Sequence, residues 1–296
     1  MAIDPRVPVR RIAAPRVDAF VRRRYRALSR RAAPGAELDR ATMQGFGRLA
    51  ERAAAGAAAP PRLDKVVASA FRALARADLD GSRPSPPVRR AIVEQFHRLY
   101  YHSSKQTWQN TEFLGARVWK NPMDLWLYQE MIHEYRPDAI IEAGTKFGGS
   151  AYYFARLFDL VGHGKVITID IEEQPNRPEH PRITYLTGSS TDPAIADSVD
   201  GLVGGGKPLI VLDSSHNRDH VLDELRLWSP RVPVGWHIVV EDTHAGGHPV
   251  TTNHRRGGPW SAVERFLAED DKFVVDESMH KFFFTFNPRG YLKRVW

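Results

Sequence analysis

Acidic residues close four apolar runs of this chain: Glu142 after Ala139-Ile-Ile, Asp170 after Lys165-Val-Ile-Thr-Ile, Asp213 after Leu209-Ile-Val-Leu, and the pair Glu241-Asp242 after His237-Ile-Val-Val. A purely structural interior has no use for so many carboxylates, because a buried charge is costly unless it is paired. If the runs ending at Asp213 and Glu241 are neighbouring strands, Asp213, Glu241 and Asp242 converge. Three unpaired carboxylates repel one another, whereas hard oxygen ligands with open positions suit Mg²⁺. His216 follows Asp213 by three residues, in Asp213-Ser-Ser-His216-Asn217, on the loop leaving the same run. An imidazole is a reasonable general base for a hydroxyl whose own pKa a metal has lowered, which makes His216 and Asp213 the catalytic candidates. The plainer reading is that each acid caps a following helix or turn, and that His216 caps backbone.

The turn after the first run reads Glu142-Ala-Gly144-Thr-Lys146-Phe-Gly148-Gly149-Ser150. It is neither Gly-x-Gly-x-x-Gly nor a Walker loop. Its glycines would let backbone approach a ligand closely before a helix begins, and Glu142 suits a cationic or hydroxyl-bearing group better than a pyrophosphate. Asp170, at the end of the next run, is placed for a ribose diol. Together they point to an adenosine-type cofactor, because ligands of an open parallel sheet bind beyond the carboxyl ends of its strands.

These side chains need a scaffold that ends several strands at one edge. Short, nearly continuous apolar runs separated by helical stretches at 122–135, 149–161, 192–203 and 218–227 predict an α/β, doubly wound, Rossmann-like parallel sheet. After a helix at 260–269, Phe273-Val-Val-Asp-Glu and Phe282-Phe-Phe-Thr-Phe read as an antiparallel strand pair closing the sheet. His244 and His248 are spaced as on a helix, but Gly246 and Gly247 between them indicate a loop.

Upstream the texture differs. Residues 1–40 hold eleven arginines and four acids, which equals the whole formal net charge of +7 on the 296-residue chain. Such an arm could meet nucleic acid or an anionic surface. Without an aromatic stacking platform beside the arginines, a solvated or subunit-contacting arm is the preferred reading. Leu63, Val66, Val67, Ala70, Phe71 and Leu74 share one helical face, as do Val88, Ile92, Phe96 and Leu99. Those faces must pack on something, and a homo-oligomer is expected. The resulting division is a basic arm at 1–35, a helical accessory region at 36–110 and the α/β domain at 111–296. The chain has no cysteine, so thiolate catalysis, disulfides and Cys-ligated metals are excluded, in keeping with a cytoplasmic protein. No apolar run approaches the ~20 residues of a membrane span.

With these residues in view, the chain resembles the cephalosporin hydroxylase family over about residues 105–295. The resemblance rests on Thr107-Trp108-x-Asn110-Thr111, Lys120-Asn-Pro122-x-Asp124-Leu-Trp126-x-Tyr128-Gln129-Glu130, the turn Ile141–Ser150, Leu212-Asp-Ser-Ser-His-Asn217, and Phe286-Asn-Pro-x-Gly-x-Leu-Lys293. It implies a class I S-adenosylmethionine-dependent methyltransferase fold and transfer of a methyl group to a hydroxyl of a small-molecule natural product or sugar. In that reading Glu142, Gly144, Lys146, Gly148, Ser150, Asp170 and Ser189 face S-adenosylmethionine, and Asp213, Glu241 and Asp242 hold Mg²⁺. His216 falls where the related catechol O-methyltransferase group carries a catalytic lysine. Beside it stand nucleic-acid methylation through the basic arm and two further alternatives. One is an oxygenase-type tailoring enzyme, disfavoured because no 2-His-1-carboxylate pattern is evident; the other is a non-catalytic scaffold.

Overall fold

The structure is a computed structural model that describes residues 86–250 and 257–296. The basic arm and the helix expected at 63–75 lie outside the described residues. Two compact units divide between Arg98 and Leu99. Of the first, only the opening of helix α1 (Pro86–His102) is described, and it contains the second of the two apolar stretches.

The second unit opens with a two-residue hairpin, β1 (Glu112–Phe113) against β2 (Ala116–Arg117), then helix α2 (Pro122–Tyr135). Asn121 begins α2 by accepting a hydrogen bond from the Met123 N–H at 3.2 Å, and Pro122 occupies the first turn, where its missing N–H leaves nothing unpaired. Strands and helices then alternate: β3 (Ala139–Ala143), α3 (Gly149–Val161), β4 (Lys165–Asp170), β5 (Ile183–Thr187), α4 (Pro193–Val203), β6 (Pro208–Leu212), α5 (Arg218–Trp228), β7 (His237–Val240), α6 (Gly258–Glu269), β8 (Phe273–Val275) and β9 (Tyr291–Arg294).

These strands form one seven-stranded sheet in the order β5-β4-β3-β6-β7-β9-β8, parallel from β5 to β7 and antiparallel at β9. It is the doubly wound, Rossmann-like sheet that the apolar runs predicted, in the class I methyltransferase arrangement that the resemblance implied. Both faces are covered, and the side-chain period of two divides the apolar residues between them. Ala139, Ile141, Ile167, Ile210 and Ile238 pack with Val221, Leu225, Trp228 and Phe266 of α5 and α6. Ile140, Val166, Leu209, Val211 and Val239 pack with Leu127, Met131, Phe154 and Phe158 of α2 and α3. Strand order reverses between β3 and β6, which opens the crevice where ligands of such sheets bind.

The sheet's margins depart from expectation. Strand β5 at one edge was not among the anticipated runs, since Ile183-Thr-Tyr-Leu-Thr is only partly buried and partly polar. At the other margin, β8 pairs with Tyr291–Arg294 and not with residues 282–286. Phe283 has a left-handed φ of 63° and is exposed, which ends any extended run there, while Phe284 and Phe286 turn inward against the ring of Tyr100. Among the described residues, no helix is long and apolar enough to cross a membrane.

Candidate active site

The glycine turn after β3 is shaped first by the protein itself. A Cβ on Gly144 would lie 2.0 Å from the carbonyl oxygen of Asp213, and one on Gly149 would lie 2.0 Å from that of Arg117. The sequence reading assigned that space to a ligand, but at these two positions the neighbouring backbone fills it. The consequence is close coupling of the β3 turn to the end of β6, where Asp213 sits.

Glu142 is fully buried at the head of this turn, and its Oε2 accepts from the Thr168 hydroxyl at 2.7 Å. Burial pushes its pKa up, against the stabilising help of Lys120, Ser150 and Thr168. Its Oε1 has no partner of ordinary hydrogen-bond geometry. A buried acceptor left this way is expensive unless a donor from a ligand meets it, so Glu142 fits an ammonium or hydroxyl group of a cofactor. Ser150 lies buried in the first turn of α3.

Asp170 ends β4 as expected, and it also braces the turn. Its Oδ2 accepts from the backbone N–H groups of Thr145 at 3.1 Å and Lys146 at 2.8 Å, and its Oδ1 from that of Glu172 at 3.1 Å. Lys146 therefore contributes its backbone to the turn, while its ammonium lies over the rings of Trp119 and Phe147 at 5.8 and 5.7 Å. Gly148, also in a left-handed conformation, begins α3 beside the hydroxyl of Tyr185. Ser189, after β5, pairs with the Thr191 hydroxyl at 2.9 Å. The neighbouring Ser190 and, from the loop after β6, Ser214 both donate to the buried carboxylate of Glu224, at 2.5 and 2.6 Å. Glu224 thus ties together two loops of the same edge.

The carboxylates after β6 and β7 converge. Asp213, His216 and Asp242 can each offer one ligand atom such that all lie within 4.8 Å of one another, the one such set among the described residues. His216 Nε2 lies 2.8 Å from Asp242 Oδ2. Burial opposes the charged imidazole, but Asp242, Asp213 and Glu241 outweigh it and raise its pKa to about 9. In return, although burial works against it, Asp242 is held well below the usual carboxylate range by His216 and His244. The backbone of Asp242 is left-handed at φ 54°, an uncommon state for a non-glycine residue.

Glu241 faces elsewhere. Its Oε2 receives the Lys120 ammonium at 2.7 Å and its Oε1 the Tyr128 hydroxyl at 2.5 Å. Lys120 also contacts Asp213 Oδ2 at 2.7 Å. The three-carboxylate grouping expected from sequence is therefore present as a cluster, with Lys120 inserted between two of its members and His216 paired to the third. The two carboxylates Asp213 and Asp242 supply hard oxygen donors that fit a divalent cation with oxygen preference, with Glu241 an additional oxygen donor only if it releases Lys120.

Sequence reasoning missed, as parts of the site, Lys120, Tyr128 and Asn287, whose side-chain oxygen accepts from the Asp242 N–H at 3.0 Å. All three stand in the motifs that carried the resemblance, yet their types and spacing alone suggested no chemistry: a lysine before a helix cap reads as a surface charge, and a tyrosine inside a helix as core.

The family model described as Rhamnosyl O-methyltransferase/CmcI matches residues 105–295. The chain is 37% identical over 215 residues to a Rhamnosyl O-methyltransferase of Mycobacterium tuberculosis (strain ATCC 25618 / H37Rv), covering 69% of this chain and 85% of that one. A Rhamnosyl O-methyltransferase of Mycobacterium leprae (strain TN) is 36% identical over 213 residues, covering 69% of this chain and 91% of the relative. In fold, the chain is similar to a solved structure of cmcI-D160 with Mg and SAM, at a TM-score of 0.50 and 21% identity over 64% of this chain and 78% of that chain. With a motif-bearing region matched nearly from end to end and relatives above one-third identity, the chain belongs to the Rhamnosyl O-methyltransferase/CmcI family of methyltransferases.

Proposed function

We propose that this chain transfers the sulfonium methyl of S-adenosylmethionine to a hydroxyl of a sugar-bearing small molecule, with Mg²⁺ that Asp213 and Asp242 would hold. The observation that carries the reading is the convergence at one sheet edge of an unpartnered buried acceptor, Glu142 Oε1, with the set Asp213, His216 and Asp242. The first suits the methionine end of the cofactor, and the second suits a cation and a proton acceptor. The names of the relatives favour a rhamnosyl group as the acceptor class.

When bound, the cofactor supplies an electrophilic methyl group and the metal supplies positive charge that favours loss of the acceptor's hydroxyl proton. The chain's own residues do the rest. Glu142 and the turn braced by Asp170 fix the donor, with Ser189 on the far loop. Asp213 and Asp242 would hold the cation. His216 receives the hydroxyl proton as the oxygen attacks the methyl carbon. Because Asp242 keeps His216 charged, the imidazole can accept only after giving up that proton to solvent. Holding donor and acceptor in line can supply roughly 7–11 kcal/mol of the barrier, so positioning outranks the base.

Incubation with S-adenosylmethionine, Mg²⁺ and a panel of rhamnosylated and other glycosylated acceptors, read by mass spectrometry, tests this reading. One added methyl group on a sugar hydroxyl, lost when Mg²⁺ is chelated, is expected. Cofactor binding without Mg²⁺ dependence would remove the metal from the reading, and absence of cofactor binding by calorimetry would remove the reading itself.

A further inference from the structure

Lys120 is 3% exposed and sits where two negative strand ends meet. Its position is fixed from several sides. Asn121 caps α2 immediately after it, and Asp124 in the first turn of α2 accepts from the Thr285 hydroxyl, the Phe286 N–H and the Tyr291 hydroxyl at 2.5, 2.9 and 2.9 Å. The ammonium then spans Asp213 Oδ2 and Glu241 Oε2, each at 2.7 Å, while Tyr128 engages the other oxygen of Glu241. Burial works against the charge of Lys120, yet Asp213, Glu241 and Glu142 hold it as an ammonium.

We infer that Lys120 is a built-in counter-cation that holds Asp213 and Glu241 together in the metal-free enzyme and competes with a divalent cation for Asp213. The inference rests on the reading of Asp213 and Asp242 as ligands of such a cation. Three carboxylates gathered without compensation would drive the ends of β6 and β7 apart, and Lys120 together with the imidazole of His216 supplies the opposing charge. A divalent ion held by Asp213 and Asp242 would bring the same amount of positive charge to the cluster. Asp213 cannot give its full interaction to both, so binding of the metal must loosen the ammonium. A lysine suits this role because its compact charge sits on a flexible four-carbon stem and can swing aside, as a forked guanidinium bound to two carboxylates could not.

Manganese(II) titrated into the metal-free full chain, with the free ion followed by electron paramagnetic resonance, tests the competition. Lys120→Met is expected to bind Mn²⁺ at least ten-fold more tightly than the wild type. Its melting temperature in EDTA is expected to be lower, with a larger rise on adding the metal. Folded Lys120→Met that binds Mn²⁺ no more tightly overturns the inference; a wild-type chain that binds no Mn²⁺ overturns the metal reading beneath it. Should Lys120→Met fail to fold, the wild type carries the test through the ¹⁵N signal of the Lys120 ammonium, assigned by its absence in Lys120→Arg. That signal is expected to be sharp in EDTA, where the group is buried and bound, and to broaden or vanish at saturating Mg²⁺. A signal that stays unchanged overturns the inference.

Discussion

The side-chain oxygen of Asn287 accepts a hydrogen bond from the backbone N–H of Asp242 at 3.0 Å, and so holds this residue in its left-handed conformation. Asn287 is itself buried, with its N–H on the Thr285 hydroxyl at 2.9 Å. The C-terminal motif Phe286-Asn-Pro therefore aims the second carboxylate of the candidate metal site, although it lies 45 residues further along the chain. Asn287→Ala is expected to weaken Mn²⁺ binding by roughly ten-fold or more, as loss of a group that orients a metal ligand commonly does. It should also lower stability by about 1–3 kcal/mol, because a buried N–H loses its acceptor. Metal titration and urea unfolding on the same variant separate the two effects. Unchanged metal affinity would show that Asp242 holds its place without Asn287.

Asp124 gives a pH dependence of a definite sign. Burial raises its pKa to about 6, despite hydrogen bonds from Thr285, Phe286 and Tyr291. A carboxyl group whose pKa is higher in the folded state than in the unfolded chain binds its proton more tightly when folded. Its contribution is greatest below about pH 4 and is lost as pH rises to about 6, by a few kcal/mol at about 1.4 kcal/mol per pKa unit. In Asp124→Asn, an amide N–H₂ must face one of the donors, so the variant should be less stable overall. Urea unfolding between pH 4 and 7 should show the gap between wild type and variant narrowing as pH rises. A constant gap would mean that Asp124 does not titrate in that window.

Gly144 and Gly162 both have positive φ, 96° and 70°, but they should respond differently to alanine. At Gly162 an added Cβ meets nothing within 4 Å, so only the conformational term remains, about 1–2 kcal/mol. At Gly144 the same atom would press on the backbone of Asp213 at 2.0 Å. Gly144→Ala should therefore unfold the chain or, if it folds, abolish binding of both cofactor and metal. Calorimetric titrations beside thermal melts would check this, and near-normal Mn²⁺ binding in Gly144→Ala would show that the β3 turn and Asp213 are not coupled.

Removing the proton acceptor should hurt less than removing a ligand. His216→Asn is expected to reduce kcat about 10²–10⁴-fold, the usual range for a positioned general base, with Mn²⁺ affinity within a few-fold of wild type. Asp213→Asn should lose metal affinity and turnover together. The comparison needs single-turnover rates at saturating metal. Equal loss of Mn²⁺ binding in both variants would make His216 a ligand.

Much of the fold was legible because its signals are local. A buried parallel strand announces itself as a short apolar run, and helical stretches between successive runs are what a parallel sheet requires. The acids at the strand ends were equally readable, since a carboxylate after such a run has few structural uses. The margins were harder. Phe282-Phe-Phe-Thr-Phe has the composition of a strand, yet the left-handed backbone at Phe283 and the hydrogen bonds of Asp124 to Thr285 and Phe286 recruit it to the site instead. Tyr291–Arg294 takes the place in the sheet, with Tyr291 and Leu292 buried.

The sequence by itself determined the layering, the glycine turn and the gathering of Glu142, Asp170, Asp213, Glu241 and Asp242 at one edge, because strand period and strand order require little else. Only the tertiary structure decided how those charges are shared. Lys120 and Asp213 are 93 residues apart, and Lys120 and Glu241 are 121 apart. Which cation sits between which carboxylates depends on distances of a few ångströms set by packing of α2 against the sheet, and Coulomb energies in a buried site change steeply over such distances. No pattern within one segment of the chain carries that information.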